Sequence, residues 1–205
     1  TFCHEEKCDL EYEIEYPEPG ALLYRITTSE PENRYRIVKE IIVDPHSPVL
    51  LIQARLEILD PALEGKLRIF ALLAPHVNGT GADNSAHLCD LGGRKLIEAF
   101  RDGIDLSLGC SPDFKSRSVG YVGFSDGWQD LMRNFTMDWE FDEACDGNVA
   151  VIGEIDYSDK GQFTLGIGFG RSEQSACAHL LQSFAVPFAS HREKFIAQWQ
   201  RSPVS

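Results

Sequence analysis

Leu10-Glu11-Tyr12-Glu13-Ile14-Glu15-Tyr16 makes every even residue apolar and every odd residue a glutamate. Successive side chains of an extended chain point to opposite faces, so this alternation predicts a β-strand with one wet face. Pro17, Pro19 and Gly20 end the run, and Leu22 to Thr28 reads as its hairpin partner. Strands are then expected over Tyr35 to Val43, Val49 to Leu59 and Leu67 to Ala74, broken by Asp44-Pro45-His46-Ser47-Pro48 and Asp60-Pro61. Leu50, Ile52, Ala54, Leu56 and Ile58 again share one face. Shorter strands are expected over Arg94 to Phe100, Ile104 to Leu108 and Arg117 to Phe124. After a helix, Val149 to Tyr157 and Gln162 to Phe169 read as another hairpin. Many short strands with turn signals between them indicate an all-β, antiparallel two-sheet sandwich rather than a parallel sheet.

Three helices interrupt the strands. Trp128, Leu131, Met132, Phe135 and Trp139 form one apolar stripe at helical spacing, with Ser125 or Asp126 as N-cap. A second helix begins at Ser172 and runs through Phe184. A third starts at Pro187, carries Phe188, Phe195, Ile196 and Trp199 on one side, and ends at Arg201-Ser202-Pro203. An amphipathic helix after a β domain reads as a lead-out, which divides the chain into a sandwich over residues 1–186 and a linker helix over residues 187–205.

The composition is that of a globular chain. Of 205 residues, 43% are hydrophobic and 25% charged, which excludes a disordered or collagen-like chain. The 19 Lys+Arg against 32 Asp+Glu leave a net charge of −13, which repels phosphate backbones, so no nucleic-acid partner is expected. No apolar run approaches the ~20 residues that span a bilayer, so no membrane partner is expected. No signal peptide opens the chain, but it begins at Thr1 without a Met, so it reads as a fragment and its localisation is left unassigned. The six cysteines are expected as free thiols. Cys3-x4-Cys8 beside His4 resembles half a metal site, but no second pair follows at ligand spacing. No metal and no cofactor is therefore expected.

Several motifs have both a chemical and a plain reading. Gly123-Phe124-Ser125-Asp126-Gly127 fits G-x-S-x-G between a strand and a helix, the setting of a nucleophile elbow, and Asp156 with His179 or His191 would complete a serine-hydrolase triad. That elbow belongs to parallel sheets with intervening helices, which are missing upstream, so a capped helix start is preferred. Gly166-Ile167-Gly168-Phe169-Gly170 departs from the dinucleotide spacing and reads as a strand with one closely covered face. The loop from Ala74 to Asn84 is long, polar and set at a strand end, where β scaffolds often carry binding residues. His76, Asn78 and Asp83 in this loop, with Trp128 as a stacking platform, are the candidate carbohydrate contacts. Turn-forming Asn and Asp that satisfy the local backbone are the plainer alternative.

Five segments occur together in order: Tyr35 to Pro45, Ala74 to Asn78, Gly120 to Trp128, Asp146 to Ala150 and Leu165 to Gly170. From about Tyr35 to Trp199 the chain resembles the N-terminal domain of bacterial glucoamylases and glucodextranases, the family-fifteen glycoside hydrolases. The resemblance implies a galactose-mutarotase-like super-sandwich with a few peripheral helices and a linker helix. It also implies a following (α/α)6 catalytic domain as partner, acting on an α-glucan or oligosaccharide by inversion. The family's further N-terminal stretch, with its strand and tyrosine-proline motif, is not found here, so the domain is expected to lack its first segment. No position matches either catalytic glutamate, so no catalytic residue is assigned. The chain is expected to be a non-catalytic accessory domain, with a free-standing carbohydrate-binding module as the alternative.

Overall fold

The computed structural model describes residues 1–157 and 161–201. Nine strands form one antiparallel sheet: β1 (Glu11–Glu15), β2 (Tyr24–Ser29), β3 (Tyr35–Val43), β4 (Val49–Ile58), β6 (Asn84–Leu91), β7 (Arg94–Arg101), β8 (Ile104–Ser111), β10 (Glu143–Gly147) and β12 (Gln162–Gly170). Their order across the sheet is β1-β2-β3-β4-β12-β8-β7-β6-β10. Three more, β5 (Ile69–Leu73), β9 (Phe114–Tyr121) and β11 (Val149–Ile155), form a second antiparallel sheet in the order β5-β11-β9. The helices are α1 (Glu6–Asp9), α2 (Gly127–Asn134), α3 (Glu173–Phe184) and α4 (Phe188–Arg201). Ser202 and Pro203, where the last helix was expected to stop, lie outside the described residues.

Two-residue turns set the register of the large sheet. Gly92-Gly93 joins β6 to β7 and Asp102-Gly103 joins β7 to β8, all four residues with positive φ. That backbone matches the twist of the flanking strands and is inaccessible without strain to most side chains. The first of these turns closes on β6, a strand the alternation of its sequence did not announce. The expected hairpin of residues 149–157 and 162–169 does not form. β11 lies between β5 and β9 in the small sheet, whereas β12 lies between β4 and β8 in the large one. β11 is buried along its whole length, since it is the centre of its sheet and covered on both faces. A connection that changes sheets satisfies the same turn signals as a hairpin does.

The core has two layers, one on each side of the large sheet. On one side Ala54, Ile97, Ala99, Leu106 and Leu108 meet Phe114, Val119, Val149, Val151 and Ile155 of the small sheet. On the other, Leu23, Ile42, Val49, Leu51 and Leu96 meet Cys177 and Leu180 of α3 and Phe188 and Phe195 of α4. These two helices thus form a packed third layer rather than a periphery. Ile196 and Trp199 join the same cluster, so the apolar stripe of α4 finds a partner on this sheet. The glycines of β12 make the close approach possible: a Cβ at Gly168 would stand 2.5 Å from the Ala176 carbonyl oxygen of α3.

The helix expected over Trp128 to Trp139 is shorter than its stripe. Asp126 caps it by accepting from the Gln129 amide at 3.0 Å, but it stops at Asn134, and Phe135 turns to φ 64°. Asp130, fully buried, accepts from the amides of Asp138 and Trp139 at 2.6 Å each and pulls the chain back across the helix. Leu131 is buried, while Met132 and Phe135 are exposed. The face of β1 expected to be inside is also bare: Tyr12, Ile14 and Tyr16 are 71%, 48% and 61% exposed. The small sheet is only three strands wide and stops short of this edge.

Candidate functional site

The loop between β5 and β6 is organised by one buried asparagine. Asn84 accepts from the Val77 amide at 2.8 Å and donates to the carbonyls of Thr80 and Ala82 at 2.7 and 2.9 Å. His76, Asn78 and Asp83 consequently take left-handed backbone conformations and stand exposed. Asn78 donates to Asp102 at 3.4 Å, and Asp83 pairs with Arg101 at 3.5 Å, which ties the loop to the β7–β8 turn. Three of the four expected sugar contacts therefore share one end of the sandwich. Trp128 sits half-buried on α2, which packs against β9 and β11 of the small sheet rather than against the loop.

Ser125 does not head a catalytic triad. Its hydroxyl accepts from the Tyr121 amide at 3.1 Å and closes the turn between β9 and α2. His179 faces the Phe169 carbonyl at 2.8 Å, and His191 is buried elsewhere. A second Ser–His–Asp set does meet in space, beside a cavity of about 110 Å³ lined by Ser183, Phe188 and His191. Its bonding order is wrong for nucleophile activation: Ser183 donates to Asp44 at 2.5 Å, and His191 Nε2 faces the Ser183 backbone carbonyl at 3.0 Å. A serine activated by histidine must donate to the imidazole. This set instead pins α3 and α4 to the β3–β4 turn.

A cleft of about 520 Å³ opens beside Leu56, Leu67, Arg68, Lys115, Glu154 and Tyr157. Arg68 donates twice to Glu154, at 2.9 and 2.8 Å, and holds that carboxyl below the usual carboxylate range. Tyr157 donates to the Leu67 carbonyl.

A third cluster is invisible in sequence because its members lie on three separate elements. Cys89 of β6, Glu98 of β7 and Cys177 of α3 place their donor atoms within 4.8 Å of one another. Glu98 is 1% exposed, and burial pushes its carboxyl up to about 7. Burial likewise pushes the Cys89 thiol up to about 11 and raises that of Cys177. The one sequence signal was the alternation of His87 and Cys89 on one strand face, which could be read only once β6 was recognised. All six cysteines are free, and Cys3 and Cys8 join no ligand cluster among the described residues.

Comparison with known proteins sets these sites in context. A glucoamylase of Clostridium sp. (strain G0005) is 27% identical over 204 residues, covering 98% of this chain and 28% of its own length. A bacterial glucoamylase crystallised with acarbose shares the fold with a TM-score of 0.92 at 24% identity, over 98% of this chain and 30% of that one. The chain thus spans less than a third of either relative. The family described as glucodextranase, domain N, matches residues 1–202, which extends the likeness well ahead of Tyr35. With its antiparallel nine- and three-stranded sheets and covering helices, this chain belongs to the glucodextranase N-domain family.

Proposed function

We propose that this chain is a non-catalytic N-terminal accessory domain of a glucoamylase-type glycoside hydrolase acting on α-glucans, built as a super-sandwich of the galactose-mutarotase kind. One observation carries the reading: family membership over residues 1–202 in a chain less than a third the length of its relatives. Its partner is an (α/α)6 catalytic domain of the same polypeptide. The bare apolar side chains of β1 suit contact with such a neighbour.

The carboxylates support a non-catalytic role. An inverting glucosidase needs a base and an acid of raised pKa, roughly 6.5–9.5 Å apart, with room for water. Glu154 lines a cleft, but Arg68 shifts its carboxyl the opposite way. Glu98 is raised, yet it is sealed beneath α3. Glu11, Glu13 and Glu15 lie on an exposed strand, and Asp126 is occupied as a helix cap. Any contribution to a substrate entrance falls to His76, Asn78 and Asp83 in the loop and to Trp128 on α2.

The purified chain is expected to release no glucose from maltooligosaccharides or isomaltooligosaccharides and to elute unretained from an α-glucan affinity gel. Turnover abolished by Asp126→Asn or Asp83→Asn would overturn the reading. Retention abolished by His76→Ala or Trp128→Ala would make the chain a carbohydrate-binding module in its own right.

A further inference from the structure

The register of the large sheet places His87, Glu98 and Ser107 side by side across β6, β7 and β8. Cys89, two residues beyond His87, shares that face. α3 lies over it and presents Glu173 and Cys177, four residues apart and so on one side of the helix. Cys177 Sγ stands 3.2 Å from Glu98 Oε1 and 3.7 Å from the Ser107 hydroxyl. Cys89 Sγ stands 3.4 Å from Glu173 Oε1, and His87 Nε2 lies 3.6 Å from Glu173 Oε2. Glu98 Oε2 is buried with no hydrogen bond of good geometry, though the Ser107 hydroxyl beside the carboxyl favours its charged form.

We propose that Cys89, Glu98 and Cys177 bind a zinc ion, with Glu173 placed at the solvent side to fill the fourth position. The orphaned Glu98 oxygen is the observation that demands a ligand. A buried carboxylate oxygen without a donor is costly, and a cation removes that cost. Tetrahedral zinc with sulfur at about 2.3 Å and oxygen at about 2.0 Å needs donors roughly 3.5–3.8 Å apart. The donors stand from 3.2 Å, between Cys177 and Glu98, to within 4.8 Å of one another, so side-chain rotations open the closest pair and close the wider ones. Two thiolates and a carboxylate suit a borderline-soft d¹⁰ ion better than calcium or magnesium, which prefer oxygen alone. As the metal enters, both thiols and the protonated fraction of Glu98 release their protons to solvent. A Cys89–Cys177 disulfide explains the cluster less well. It would remove the Cys177 donor from Glu98 and leave the buried carboxyl with still fewer partners.

The test uses the reduced, metal-free chain titrated with Co²⁺ and then Zn²⁺. The expected result is one equivalent of Co²⁺ bound, with a thiolate-to-cobalt absorption band that one equivalent of Zn²⁺ abolishes. Cys89→Ser, at a half-exposed position, and Glu98→Gln should each weaken binding at least tenfold while leaving the far-ultraviolet circular dichroism unchanged. Cys8→Ser should bind as the parent does. Absence of a saturable thiolate band overturns the proposal. So does binding that survives Cys89→Ser and is lost in Cys8→Ser, which would move the site to the N-terminal cysteines.

Discussion

Asp130 decides more of the local fold than any apolar residue of its helix. With no exposed surface, its carboxylate accepts from the amides of Asp138 and Trp139 and from Arg133 at 3.2 Å. Asp130→Ala would strand two amides and is expected to destabilise the chain by roughly 3 kcal/mol in urea unfolding. Glu30 is the corresponding device at the β2–β3 turn. It is 3% exposed and accepts from the Arg34 guanidinium at 2.6 Å and from the amides of Glu32 and Arg34. The Arg34 hydrogen bond, working against burial, lowers its carboxyl from 4.5 to about 2. A depressed carboxylate contributes stability above its unfolded value and loses it as the folded form takes up a proton. Glu30's contribution is therefore complete above about pH 4.5 and fades as pH falls toward 2. Melting temperatures across that window should fall less steeply in Glu30→Gln than in the parent.

At the level of elements, the contact between β12 and α3 leaves no room for side chains. Gly168→Ala would push a methyl into the Ala176 carbonyl and the Leu180 side chain, so a loss of about 1–3 kcal/mol is expected from thermal melts. α4 packs into the core on the large sheet. As a lead-out helix it would be dispensable to the sandwich, but Phe188 and Phe195 are buried against Leu23, Ile42 and Leu51. Phe195→Ala should cost about 3–5 kcal/mol. Truncation after Pro187 should cost more, because it uncovers that whole layer of the sheet. A truncated chain with an unchanged melting temperature would show that α4 contributes nothing to the core.

At the scale of the whole molecule, the two sheets among the described residues differ in width, nine strands against three. The consequence is the open face of β1, an edge strand whose Tyr12, Ile14 and Tyr16 are exposed while Glu11, Glu13 and Glu15 occupy the other face. Charged residues along an edge oppose strand addition by a second chain. Tyr12→Lys with Ile14→Lys is expected to leave unfolding free energy within about 0.5 kcal/mol, as exposed substitutions do. Light scattering at high concentration should show less self-association than in the parent. A large loss of stability would instead place these side chains in the core of the isolated chain.

The strand alternation, the turn residues and the helix caps act over a few residues, so they are readable in one dimension. β3 begins at Tyr35 and ends at Val43 as its pattern indicates, and Ser172 and Asp126 cap their helices. What the alternation cannot state is which sheet a strand joins, because period two is the same in both. β11 and β12 therefore read as neighbours and fold into different layers. Apolar faces are equally silent about their partner: that of β1 stays bare, and that of α4 finds the large sheet. Cys89, Glu98 and Cys177 become neighbours only when the β6–β7 pairing and the docking of α3 are both in place. Local steric and hydrogen-bonding preferences determined the elements; long-range packing alone decided their layers, their partners and the buried polar cluster between them.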